Sequence, residues 1–257
     1  MTPGSRISAV SYLNTVPMVY GIERAGLLRA ELLLSPPSGC AEAFASGRAD
    51  VALLPSAALL EIPEHNIITS FCIGAVGDVR TVVIVGDSPI SNVRRLFLDS
   101  HSLTSVALSA ILCRELWRIE PERIDMSDLS PLDNARTGDA FLLIGDKVFD
   151  HEGRFGYSYD LARAWRELTG LPFVFALWVA SPDTQGATTA ALEGSLCYGV
   201  EHIAEAVAAS PHCDKPYAVD YLTRNIDYNL DEAKRRSLEL FLHKCKDGYS
   251  APQNVTL

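Results

Sequence analysis

The chain is short of positive charge and lacks most of the short motifs that mark a cofactor or a catalytic centre. Its 257 residues carry 22 Lys and Arg against 32 Asp and Glu, a formal net charge of −10. Nucleic-acid binding needs clustered cations to neutralise phosphates, so that class of partner is set aside. No apolar run approaches the ~20 residues of a membrane helix. The opening Met1-Thr2-Pro3-Gly4-Ser5-Arg6 lacks the basic, apolar and small-residue zones of a signal peptide. The expectation is a cytoplasmic protein with no membrane partner and no obligate protein partner. Six cysteines (Cys40, Cys72, Cys113, Cys197, Cys213 and Cys245) are scattered without a C-x-x-C pair. That suits reduced thiols in apolar surroundings rather than a disulfide framework or a zinc site.

Also missing are G-x-G-x-x-G, the Walker loop, G-x-S-x-G and H-E-x-x-H, which removes the common signatures of dinucleotide, nucleoside-triphosphate, hydrolase and zinc-protease chemistry. His101 stands alone among the histidines at a strand-to-helix turn, where it is a candidate base. A lone histidine is more often packed or solvated.

What is present is an ordinary globular balance, 48% hydrophobic and 21% charged. Short strands alternate with helices. The pattern predicts a strand over Ile7–Val10, a helix over Val16–Ala25 stopped by Gly26, and a strand over Ala30–Leu34. Punctuation follows at Pro36-Pro37-Ser38-Gly39, then a short helix over Ala41–Ala45 and a buried strand from Asp50 to Ser56. This is a βαβ arrangement, hence a parallel sheet with helices on its faces. β-rich runs follow at Ile67–Ile73 and Arg80–Val85. A second unit holds a strand at Leu96–Asp99, a helix at Val106–Trp117, a strand at Ala140–Ile144 and a helix at Asp160–Thr169. Phe173–Ala180 reads as a strand crossing back, and Asp183–Lys246 as mostly helical with an irregular stretch at Tyr217–Tyr228. The expected architecture is α/β with two lobes and two crossings: residues 1–86 with 180–257, residues 87–179, and a ligand cleft between them.

The richest local signal lies at the start. The first strand runs into Ser11-Tyr12-Leu13-Asn14-Thr15-Val16-Pro17, which brings polar side chains and the unpaired N–H groups of a helix start to one point. Such a point favours an anion, although Asn14 or Thr15 could serve simply as an N-cap. Ligands gather at the carboxyl ends of parallel strands, so Ser56, the Ser70-to-Arg80 region, and Thr104 with Ser105 join the candidates. Arg80, entering a buried strand, needs a carboxylate, either a ligand's or that of Asp78 or Asp50. Asp146 and Lys147 close another strand, and Tyr12, Phe155, Tyr157, Tyr159 and Trp178 could wall an apolar ring. Helix ends and one or two arginines would make a locally positive pocket in an acidic surface.

Several blocks together resemble the chorismate dehydratases of the futalosine route to menaquinone. They are Ser11-Tyr12-Leu13-Asn14-Thr15, Ser46-Gly47-Arg48-Ala49-Asp50 through Pro55-Ser56, Cys72-Ile73-Gly74 with Val79-Arg80-Thr81-Val82, Leu98-Asp99-Ser100 through Leu108, and Tyr159-Asp160-Leu161 through Phe175. The resemblance runs in order from about Arg6 to Ala180. It implies the fold of type II periplasmic binding proteins and conversion of chorismate to 3-[(1-carboxyvinyl)oxy]benzoate with loss of water, without metal or redox cofactor. It also implies that the enolpyruvyl carboxylate of the substrate serves as base, with Asn14 as the critical protein group. Ser11, Tyr12, Thr15, Ser56, Arg80, Thr104 and Ser105 are the expected substrate contacts. The chain departs from the family's pattern at His101, where a small residue is expected, and at Val76-Gly77-Asp78. Two alternatives stay open: a non-catalytic binding protein for a small carboxylate, and the sister 1,4-dihydroxy-6-naphthoate synthase. The latter is expected to open with a Ser-Pro-Cys-Pro-Asn-Asp-Thr-like segment, which this chain lacks.

Overall fold

The computed structural model describes residues 4–62, 64–99, 102–184, 186–210 and 216–247. Two compact α/β units emerge. The first comprises the residues up to Gly74 and Val174–Glu232, the second Ala75–Phe173 and the helix that continues from Ala233.

In the first unit, in chain order, lie β1 (Ser5–Val10), α1 (Val16–Arg24), β2 (Ala30–Ser35), α2 (Pro37–Ala45), β3 (Val51–Pro55) and β4 (Asn66–Ala75). The second unit holds β5 (Val82–Gly86), β6 (Arg95–Asp99), α3 (Leu103–Leu112), β7 (Glu122–Met126), β8 (Asp139–Ile144), β9 (Tyr157–Asp160) and α4 (Leu161–Thr169). The chain returns through β10 (Phe173–Ala180) and adds α5 (Gly186–Glu201), α6 (Ile203–Ala209), α7 (Ala218–Arg224), β11 (Asp227–Asn229) and α8 (Glu232–Lys246).

The first sheet has the order β11-β4-β10-β3-β1-β2 and the second β7-β6-β8-β5-β9. The parallel pairing read from the βαβ pattern holds for β1 with β2 and β3, and for β6 with β7 and β8. Returning strands turn each sheet mixed, since β10 runs antiparallel to β3, and β5 antiparallel to β8 and β9. All five residues of β3 and all eight of β10 are buried, which is why these runs are apolar throughout instead of alternating.

Several boundaries differ from expectation for identifiable reasons. Pro37 opens α2 rather than closing a loop, because its fixed φ suits the first helical turn. α3 begins at Leu103, since Ser102 caps it, and the chain beyond it, Cys113–Trp117, widens into a π-turn ending at Arg118 in the left-handed region (φ 56°). The stretch expected to be irregular, Tyr217–Tyr228, contains α7 and the first two residues of β11. The divisions between units fall at Gly74/Ala75 and Phe173/Val174, within strands β4 and β10, rather than at residues 86 and 180. Helix α8 groups with the second unit because Trp165 of α4 packs edge-to-face on Phe173 and Phe241, with centroids 5.3 and 6.1 Å away. The Trp165 indole N–H also donates to Ser237 Oγ at 2.9 Å.

Candidate functional site

β1 ends at Val10, and the chain makes a single 3-10 turn over Leu13–Thr15 before α1. Ser11 is exposed and its N–H donates to the carbonyl of Ser35 at 3.0 Å, fixing the exit from β1 beside the end of β2. Thr15 holds the N-cap position of α1 that the local sequence also allowed, but its side chain makes no cap hydrogen bond. Thr15 is fully buried, and its Oγ1 donates instead to Asn14 Oδ1 at 3.1 Å. From the other side the Tyr228 phenol of β11 donates to the Asn14 carbonyl at 2.9 Å. Asn14 is half-buried between these two supports.

Ser56 follows β3 and is wholly buried; its hydroxyl donates to the carbonyl of Val174 at 2.7 Å, tying the end of β3 to the start of β10. Trp178, considered for an aromatic wall, is instead a fully buried core residue of β10.

In the second unit Thr104 and Ser105 occupy the first turn of α3 and are almost completely buried. Ser102, which the sequence reading passed over, is the true cap: its Oγ accepts from Ser105 N at 3.2 Å and donates to Ser105 Oγ at 2.8 Å. The signal was available in the three-residue spacing of the two serines. His101 lies outside the described residues. Lys147 pairs with the buried carboxylate of Asp99.

Arg80 lies just before β5. Its backbone is left-handed (φ 65°), a conformation that residues bearing a Cβ rarely adopt. The strain is held by Asp160, which accepts from Arg80 N at 2.8 Å and also caps α4 through Ala162 N (3.0 Å) and Arg163 N (3.1 Å). The Arg80 guanidinium forks onto Glu152, with Nη2 2.9 Å from Oε1 and 3.1 Å from Oε2, and lies 5.1 Å from the Phe149 ring centroid. The Arg80 guanidinium thus pairs with Glu152, while Asp78 engages Arg163 and Asp50 engages Arg6. Arg80 lines a cavity of about 520 Å³ whose walls carry four carboxylates (Asp78, Glu152, Asp160 and Glu167) against two guanidiniums. Burial pushes the Asp160 carboxyl up to about 6, with the backbone N–H groups it accepts pulling the other way. Phe155 lines this cavity and packs on Phe141, while Tyr159 accepts from Ile90 N at 2.9 Å, so these aromatics serve the second unit itself.

Among the described residues no group of three or more His, Cys, Asp or Glu is placed to hold a metal ion, and no helix is long and apolar enough to cross a membrane.

Two mixed sheets with helices on their faces, joined by strands, make this an α/β protein with the two-lobed type II periplasmic-binding-protein fold. The solved structures agree. Protein AF1704 from Archaeoglobus fulgidus superposes with a TM-score of 0.75 at 17% identity, covering 94% of this chain and 96% of its own. The CA3427 gene product of Candida albicans, described as having the generic periplasmic binding protein fold, gives 0.68 at 13% identity over 97% and 92%. The sequence model of a family described as menaquinone biosynthesis matches residues 5–247, and the chain belongs to that family. A chorismate dehydratase from Thermus thermophilus is 25% identical over 255 residues, covering 90% of this chain and 91% of the relative.

Proposed function

We propose that this member of the menaquinone-biosynthesis family is a chorismate dehydratase of the futalosine route, converting chorismate to 3-[(1-carboxyvinyl)oxy]benzoate and water. The observation that carries the reading is the Asn14 turn: a half-buried asparagine, held at its side-chain oxygen by Thr15 and at its backbone carbonyl by Tyr228, at the carboxyl end of the parallel strand β1. The distant Thermus thermophilus relative supports the same reaction.

The chemistry asks little of a protein. Removal of the C3 proton and departure of the C4 hydroxyl form one new C=C bond and aromatise the ring; the proton and hydroxide leave as water. Aromatisation supplies driving force, so the protein must hold the dianion, align its enolpyruvyl carboxylate with the C3 proton and stabilise the departing oxygen. In this proposal the Asn14 amide serves the departing oxygen or the enolpyruvyl carboxylate. The first turn of α3, with Thr104 and Ser105, offers a helix N-terminus to a substrate carboxylate. Arg80, already forked onto Glu152, is given no part in the chemical step.

Incubation of the purified protein with chorismate, followed by mass spectrometry and aromatic absorbance, tests the reading. A new product lighter than chorismate by one water supports it. Chorismate bound and recovered unchanged would mark a binding protein, and turnover of a cyclised futalosine derivative in place of chorismate would mark the sister synthase.

A further inference from the structure

Asn14 is gripped at both of its oxygens. Thr15 Oγ1 donates to the side-chain oxygen Oδ1 at 3.1 Å, and Tyr228 Oη donates to the backbone carbonyl at 2.9 Å. A primary amide has one accepting end and one donating end. With Oδ1 turned to the threonine hydroxyl, the opposite end of the amide is the Nδ2 amino group, for which no acceptor is present among the described residues.

From this we infer that Thr15 and Tyr228 are positioning residues that fix Asn14 as a hydrogen-bond donor, presenting Nδ2–H to a negatively charged or departing oxygen of the substrate. The inference rests on the proposed dehydration and assigns the sense of its key hydrogen bond.

Both supports suit the task. Thr15 is fully buried, so its hydroxyl meets little competition from water, and its β-branched side chain is stiff at χ1. Tyr228 sits on β11, whose neighbours Asp227 and Asn229 are registered on Gly74 and Phe71 of β4. The phenol is thus carried by the sheet rather than by a loop. Burial holds its ionisation well above the ordinary tyrosine range, which favours the protonated, donating phenol. A freely rotating amide would present either end. A carbonyl oxygen turned toward a carboxylate or a departing hydroxide would repel it. Fixing the orientation in advance removes that reorganisation from the chemical step.

The test uses Thr15→Val, Thr15→Ser and Tyr228→Phe in the full chain, with kcat and KM for chorismate and the melting temperature of each. Thr15→Val is expected to lower kcat by about tenfold, less than the roughly 10²–10³ that loss of a preorganised donor costs because Nδ2 itself remains, with KM changed less than about threefold. Thr15→Ser, which restores the hydroxyl, is expected to recover most of the loss, and Tyr228→Phe to show a smaller fall of the same kind. In nitrogen-edited NMR the Asn14 Nδ2 protons should be ordered in the wild type and mobile in Thr15→Val. They should shift when 3-[(1-carboxyvinyl)oxy]benzoate is added to the wild type.

Wild-type kcat in Thr15→Val and Tyr228→Phe would overturn the inference, as would a Thr15→Ser variant no better than Thr15→Val. An Asn14 amide equally ordered in all variants would also overturn it, whether or not the protein turns chorismate over. A wild type that makes no product removes the reaction, and the NMR result then judges the amide's orientation separately.

Discussion

Gly21 of α1 and Gly199 of α5 meet backbone to backbone: a Cβ added to Gly21 would lie 2.8 Å from Gly199 N, and one added to Gly199 would lie 3.0 Å from Gly21 N and strike the Pro17 carbonyl. The two helices can approach this closely only because both positions lack side chains, and the contact anchors α1, the helix that follows the Asn14 turn. Overpacking against backbone cannot be relieved by a rotamer change, so Gly199→Ala should lower stability by about 3 kcal/mol. Gly186→Ala, at the open start of α5, is the control and should leave stability unchanged or slightly higher. Equal urea midpoints for the two variants would show that the helices can move apart at no cost.

Asn14→Asp tests the sign of the interaction at the candidate site. The new carboxylate would still accept from Thr15 Oγ1 while turning a second negative oxygen toward a dianionic substrate. Turnover should fall by more than about tenfold, or 1.4 kcal/mol of barrier, with the melting temperature little changed because Asn14 is only half-buried. Steady-state kinetics with chorismate at saturating concentration measures it, and retention of more than a tenth of the activity removes Asn14 from the mechanism.

The first turn of α3 separates a cap from a ligand contact. Ser102→Ala removes the acceptor for Ser105 N and should cost about 1 kcal/mol of stability. Thr104→Val leaves that cap in place and, in the proposal, removes one hydroxyl bond to a substrate carboxylate. Bonds to charge contribute about 1.5–3 kcal/mol, so binding of the benzoate product should weaken roughly tenfold or more. Urea unfolding together with calorimetric titration of both variants reads the two effects apart. An unchanged dissociation constant in Thr104→Val would leave this turn a purely structural helix start.

The elements that could be read in advance were those whose own residues decide them. Val51–Pro55 and Phe173–Ala180 are apolar throughout because both faces are covered, and α4 shows its cap Asp160 and its stop Gly170 in the sequence itself. What escaped was set by distant partners. Strand β9, Tyr-Ser-Tyr-Asp, looks like a loop until it pairs with β5, and β11 is three residues long and exists only beside β4. The same division runs through the site. The Ser11–Thr15 block stood out locally, yet nothing local says that Ser56 turns its hydroxyl to Val174, 118 residues away, or that Arg80 meets Glu152, 72 residues on. Tyr228, 214 residues from Asn14, carried no signal at all.

The remaining prediction concerns pH. Asp160 fastens the left-handed turn at Arg80 to the start of α4, and burial, with Asp78 adding to it, raises its carboxyl from 3.8 to about 6. Between those two values the folded chain holds a proton that the unfolded chain has released. The stabilisation it brings is therefore complete below about 4 and lost as pH rises through about 6, a difference on the order of 3 kcal/mol for this group. Other carboxylates slope the opposite way: Glu115, held down by Lys244 and Arg114, contributes stability that is lost on acidification. The variant Asp160→Asn isolates the effect. It loses the titration, and because its amide nitrogen cannot accept, it also gives up bonds to either Arg80 N or the α4 amides at every pH. Urea midpoints measured from pH 4 to 7 should show the wild type falling relative to Asp160→Asn as pH rises through 6. Parallel curves would mean that the backbone N–H groups hold Asp160 ionised throughout, and that its bonds alone keep the Arg80 turn in place.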